Sequence, residues 1–492
     1  MAPAGPTSGA PNVVLHDGGV GQSGLSADSG SSTGASSEAG LARASGQPAN
    51  FDAELALAEV TDQDPDPDTI EISLEASIKD IEFLPGIPTP AWTYNGSVPG
   101  PLIQATVGQT LLVHFKNSLP ETTTVHWHGV RLDNEVDGVP GITTKAVEPG
   151  EEHDYRFTLR DAGFFWYHPH YDSVAQMGRG LYGGILVSDP SEPDLGQELP
   201  LILSDMSLEE DGSFTDDDNG GEFTILFGRE GNTLLVNGRV NPTLHARAGL
   251  RQRWRVLNAS RSRYFGLGFE AQSFTRIGRD GGLQQFPENI DSPVNIVPGS
   301  RADLLVAPVA QPNTVSQLQW VPTERGFGST FNRDPADLFR IQYTDEAPAT
   351  PPALPEISRT IPDPDLSAAV EHEIELTIDI PDSGLVLGIN HESAELVPPI
   401  MAKVGDTQVW DLTNHSDFSH PFHLHGFFFQ QIDPMGKPIE PRAWLDTIDV
   451  PKDQPVRVAV HFDERPGMWM YHCHILDHAD GGMMGMVHLE AP

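Results

Sequence analysis

Cysteine occurs once in this chain, at position 473 of 492. A single thiol excludes an internal disulfide framework, and its plainest reading is a small buried hydrophobe. Lysine is almost as scarce. Of 29 basic residues only Lys79, Lys116, Lys145, Lys403, Lys437 and Lys452 are lysine, against 70 acidic residues and a formal net charge of −41. The basic surface that phosphate backbones require is missing, which argues against a nucleic-acid partner. So acidic a surface repels itself unless screened, and at molar salt the Debye length falls to about 3 Å. The composition therefore leads us to expect a halophilic protein; an acidic protein from an ordinary source is the alternative. No run of about eighteen apolar residues exists, so no membrane span is expected. The N-terminus lacks a basic region followed by an apolar run, so no signal peptide is legible. The chain is then either intracellular or the mature form of an exported protein.

Turn chemistry, by contrast, is abundant. The 48 Gly and 43 Pro suit an all-β fold. Residues 1–50, as in "GQSGLSADSGSSTGASSEAG", read as a disordered Gly/Ser-rich leader. A weak repeat then starts at Tyr94, Val236 and Ile389. Each copy has an Asn, a turn Gly, an alternating strand and a second Asn. The intervals Gly108 to Asn117, Gly249 to Asn258 and Gly405 to Asn414 are equal. "TLLVHFKN" and "RQRWRVLN" alternate apolar and polar, as half-buried strands do. The shared spacing predicts three copies of one β-sandwich. Domain one is placed at 68–190, domain two at 196–345, a Pro-rich linker at 347–365, and domain three at 366–492.

The 19 His of the chain would give roughly 0.7 His-x-His triplets by chance. Four occur: His126/His128 in "HWHG", His168/His170 in "WYHPH", His423/His425 in "HPFHLHG" and His472/His474 in "YHCH". Two lie in domain one, two in domain three and none in domain two. On a strand, residues i and i+2 point to one side, so each triplet aims two imidazoles at one place. Eight imidazoles suit about three metal ions held between two domains. Cys473 must point away from His472 and His474, toward a second site. His420, His478 and Met483 are the candidates to join it there. Two His, one Cys and a weak axial Met form a blue-copper electron-transfer site, with the thiolate as ligand.

These motifs, in this order, resemble the multicopper oxidases: laccases, bilirubin oxidases, cuprous oxidases and spore-coat laccases. The resemblance covers about residues 68–492. It implies three cupredoxin-like Greek-key domains and four coppers per chain. Type 1 copper would take His420, Cys473 and His478, with Met483 axial. Type 2 would take His126 and His423. One type 3 copper would take His128, His168 and His474, and the other His170, His425 and His472. The remaining imidazoles, such as His114, His153, His245, His391, His415, His461 and His488, default to structural or surface roles, with a substrate-side role kept open for His391 and His415. Met484 and Met486 default to packing.

The implied reaction takes four electrons, one at a time, from a reducing donor and reduces dioxygen to two waters. Donors would meet type 1 copper through an exposed edge of His420 or His478. Protons must also arrive, and Asp137 in "EVDGVPG" matches the family's relay acid; a turn Asp is its alternative. Bacterial relatives often carry a second acid directly after the last type 1 His. Ala479 stands there instead, so Asp477 or Asp480 would have to substitute. Asp446 is a candidate for orienting a ligand. Asn95, Asn258 and Asn414 lie in sequons that permit glycosylation. The resemblance favours a secreted monomer that acts on phenols and aromatic amines. A cuprous oxidase is the alternative, weakened by only ten Met and no Met-rich insert. A copper nitrite reductase is disfavoured by the four intact His pairs and the third domain. A non-catalytic copper-binding role is the reading from another class.

Overall fold

Each repeat folds around one parallel strand pair. The computed structural model describes residues 46–491, apart from 216–220, 271, 328–329, 331–332, 352, 355, 357–358 and 383. In domain one, Thr69–Leu84 runs parallel to Thr110–Asn117. Gln197–Met206 pairs in the same way with Gln252–Asn258 in domain two, and Val370–Asp379 with Thr407–Asn414 in domain three. Each pair is central to one sheet, and a second sheet faces it, giving six sheets in three cupredoxin-like sandwiches. The fold class is all-β with three cupredoxin-like domains.

The repeated Asn residues have one job in all three copies. Asn95, Asn237 and Asn390 adopt positive φ near 50°, a backbone state that Asn tolerates in turns. Each side-chain Oδ1 accepts from the strand alongside, at Glu75, Ile202 and Glu375 respectively. The second set, Asn117, Asn258 and Asn414, is buried, and each Nδ2 donates to two carbonyls. Two of the three sequons are thereby corrected. Asn258 and Asn414 are interior pins, so a glycan at either is incompatible with this fold.

The predicted alternation holds in Thr110–Asn117, where Leu111, Val113, Phe115 and Asn117 are buried. It fails in Gln252–Asn258, which is buried on both faces. There the outward-facing Arg253 and Arg255 are covered and neutralised by Asp303, Glu192 and Glu198 at 2.6–3.2 Å. Polar side chains in a strand thus mark a paired ionic layer rather than a wet face.

Residues 1–45 of the expected leader lie outside the described residues. Its last residues, 46–50, form turns at domain two, where the Arg247 amide donates to Gln47. Just beyond, Phe51 and Leu55 join the core of domain two. The Pro-rich segment is pinned as well. Arg359 donates to the carbonyls of Gly281 and Leu283, and Ile361 is buried. Domains one and three share one continuous hydrophobic core, and the histidines gather where they meet.

Candidate metal centres

Local strand register builds the site. His126–His128 pairs antiparallel with Gly163–His168, placing His126 opposite His168. His420–Leu424 pairs with Gly467–Cys473, placing His423 opposite His472 and Phe422 opposite Cys473. The four His-x-His triplets converge on one buried place. The His128 and His423 rings stack at 3.7 Å across domains, as do His126 and His425 at 3.9 Å. Four groupings there have ligand atoms within 4.8 Å of one another: His126/His423/His425, His126/His128/His168, His170/His425/His472 and His128/His423/Asp446. His474 belongs to none of these, but its ring lies 5.1 Å from His128 and 5.8 Å from His168.

Cys473 points the other way, as a strand requires. Its Sγ lies 3.6 Å from Nδ1 of both His420 and His478, which are 3.1 Å apart. Met483 is buried beside them, its amide donating to His478 and its carbonyl accepting from Cys473.

The donor chemistry fits copper. His126 Nε2, His128 Nδ1, His168 Nε2, His423 Nε2 and both ring nitrogens of His474 are buried without a hydrogen-bond partner. Orphaned buried nitrogens at this density call for a cation that accepts lone pairs. Burial drives His128, His168, His170, His420, His425 and His474 well below their usual range, and His472 and His478 to about 3. These rings are neutral, the form that binds metal. Burial pushes the Cys473 thiol up, so its thiolate requires a metal partner.

The carboxylates divide sharply. Asp137 is buried, with Oδ2 at 2.9 Å from His425 Nδ1 and its carbonyl at 2.7 Å from His126 Nδ1. Burial alone would raise its pKa, but His425 and His126 outweigh that and hold it well below the carboxylate range. Asp446 Oδ1 is 3.3 Å from His128 Nε2, and its carbonyl is 2.9 Å from His423 Nδ1. The two substitutes for an acid at Ala479 are otherwise engaged. Asp477 pairs with Arg229, and Asp480 accepts from the Val174 amide.

One expectation is overturned. His420 and His478 have no exposed edge; both are 0% exposed. His478 Nε2 lies 3.1 Å from the Leu226 carbonyl, and His420 Nε2 lies 2.8 Å from Ser416 Oγ. The cover comes from domain two. The helix Gly221–Phe227 ends at Phe227, whose ring packs on Phe418 at 5.3 Å and on Phe327 at 6.4 Å. Phe418 in turn lies 5.4 Å from His420 and 5.9 Å from His478. Domain two also contributes Arg301 and Asp280, which hold Asp446. Sequence reasoning missed these residues because domain two has no His pair to draw attention. The "RAD" strand start in an acidic, Lys-poor chain was the available signal.

The chain is similar to known proteins over most of its length. Residues 75–192 and 370–491 each match a model described as multicopper oxidase. A multicopper oxidase of Mycobacterium tuberculosis is 30% identical, over 80% of this chain and 81% of its own. A laccase of Haloferax volcanii is 28% identical, over 83% of this chain and 79% of its own. The solved structure of a Campylobacter jejuni multicopper oxidase, described as a metallo-oxidase, superposes with a TM-score of 0.77 at 29% identity, covering 91% of this chain and 99% of that one. With its sandwiches, its converging imidazoles and its His-Cys-His arm, this chain belongs to the multicopper oxidase family and carries four coppers.

Proposed function

We propose that this oxidase is laccase-like: it couples one-electron oxidation of four phenol or aromatic-amine donors to reduction of one dioxygen to two waters. His420, Cys473 and His478, with Met483, would hold type 1 copper. His126 and His423 would hold type 2. His128, His168 and His474 would hold one type 3 copper, and His170, His425 and His472 the other. Bound there, copper supplies the one-electron steps and the reduction of dioxygen.

The observation that carries the reading is the strand Gly467–Cys473 and the residue after it. His472, Cys473 and His474 are consecutive, yet the sulfur and the two rings enter different clusters. The backbone itself therefore joins the two centres, with no loop to reorganise between them. Asp137 fixes the His126 and His425 rings and keeps a carboxylate at the cluster edge. That many relatives work outside the cytoplasm supports an exported enzyme, and cell fractionation tests that.

A second reading is favoured by one observation. Both type 1 imidazoles are sealed beneath Leu226, Phe227 and Phe418, which suits a small metal-ion donor such as Cu(I). Oxygen uptake by the copper-loaded protein decides between them. Four donor electrons per dioxygen with a methoxyphenol supports the laccase reading; rapid uptake with Cu(I) alone supports the metal-ion oxidase. A Cys473→Ser variant should retain three of the four coppers, lose the intense visible absorption and take up no oxygen with either donor.

A further inference from the structure

In a chain of net charge −41, a cation without a partner stands out. Arg279 ends the domain-two strand Phe274–Arg279. Its Nε is buried, and its guanidinium has no hydrogen-bonded partner among the described residues. A polar group taken out of water without a partner is costly. Burial pulls Arg279 down to about 10 and the charge of Arg276 adds to the effect, while the charges of Asp280 and Glu288, neither hydrogen-bonded to it, oppose it only in part.

Every neighbouring charge is already committed. Arg276 pairs with Glu288 at 2.5 Å, and Arg301 pairs with Asp446. Asp280 accepts from the Arg301 amide at 2.8 Å and from the Asp446 and Thr447 amides at 3.2 Å. Asp449 accepts from the Tyr264 hydroxyl at 2.8 Å.

Arg279 lines a cavity of about 430 Å³ between domains two and three. That volume falls in the range of small-ligand pockets. Beside the charged groups the lining is mixed: Val297, Leu445, Ile448, Pro455 and Val456 are apolar, while Asn295, Ser300, Thr447, Gln431 and Gln454 are neutral and polar. None of the twelve residues proposed as copper ligands lines it.

We infer that this cavity binds a small organic carboxylate, with the carboxylate on Arg279 and the apolar body against Ile448 and Val456. The planar guanidinium fork matches a carboxylate with two parallel hydrogen bonds. The apolar part of the wall, at Ile448, Pro455 and Val456, favours an organic body over a hydrated inorganic ion. The inference is independent of whether phenols or metal ions are the donors.

Calorimetric titration of the copper-loaded protein with benzoate, benzyl alcohol and sulfate tests it. Benzoate should bind saturably, at least tenfold more tightly than either comparison compound. Arg279→Gln should weaken benzoate at least tenfold while copper content and visible absorption stay unchanged, and Arg279→Lys should retain part of the affinity. Val456→Trp fills the cavity while leaving Arg279 in place, and should also abolish binding. The inference is overturned by absence of saturable benzoate binding, by equal binding of benzyl alcohol, by equal or tighter binding of sulfate, or by benzoate affinity that survives both Arg279→Gln and Val456→Trp.

Discussion

Arg301 and Asp446 form a buried ion pair, with Nη1 2.7 Å from Oδ1, that brings a domain-two charge to the histidines of domains one and three. The same guanidinium donates to the Phe164 carbonyl of domain one at 3.0 Å. One side chain thus touches all three domains. Breaking a buried pair by removing one partner costs about 3–5 kcal/mol, because the other charge is left stranded. Asp446→Asn should therefore lower the unfolding free energy by about that much and reduce copper retention, since Asp446 Oδ1 also faces His128. Denaturant unfolding with a copper count checks this; a loss below about 1 kcal/mol would show that the pair is not what anchors domain two.

The cover over His420 and His478 should act as a size filter. Phe327 is 62% exposed and packs on Phe227. Phe327→Ala should speed oxidation of bulky phenols about fivefold, equivalent to about 1 kcal/mol of barrier, while leaving small donors unchanged. Steady-state rates with a graded series of phenols measure it. A uniform change across the series would count against a steric filter.

The acidic field should sort donors by charge. Cationic or neutral donors should react faster than matched anionic ones, and the gap should widen as salt is lowered. Thermal stability should rise with salt over the same range, as screening relieves a net charge of −41. Equal rates for matched cationic and anionic donors across a salt series would refute the steering.

His114 supplies a pH dependence away from the copper sites. Its hydrogen bond to Glu71, then that to Asp154, raises its pKa above the usual value, both contacts being 2.8 Å. A raised folded-state value means the stabilisation is fully present below the unfolded value of about 6.5 and fades as pH rises through the folded one. His114→Gln should therefore lower the melting temperature more at pH 5.5 than at pH 9. The effect should stay below about 1 kcal/mol, as for exposed ion pairs. An equal loss at both pH values would assign His114 a packing role only.

Much of the site was legible because its spacing is a backbone property. Two residues apart on a strand fixes a shared side, so four His-x-His triplets announced paired imidazoles, and Cys473 between two of them had to face elsewhere. The repeats were legible for a similar reason. Asn95, Asn237 and Asn390 each need a positive φ, and few residue types tolerate it. Burial was less legible. Arg253 and Arg255 read as solvent-facing because charge usually marks a wet surface, and only the surrounding acids made their burial possible.

By itself, then, the sequence determined the turn positions, the shared side of each His-x-His pair and the candidate ligands, since these follow from local chain geometry and side-chain chemistry. Tertiary structure decided which rings meet, because His128 and His423 stack only when domains one and three close on each other. It decided that the type 1 imidazoles are sealed, because Leu226 and Phe227 reach them from another domain. It also decided that Arg279 lines a cavity with its buried Nε left without a hydrogen-bond partner among the described residues. Contacts between residues far apart in the chain depend on how whole sheets dock, and no local pattern encodes that.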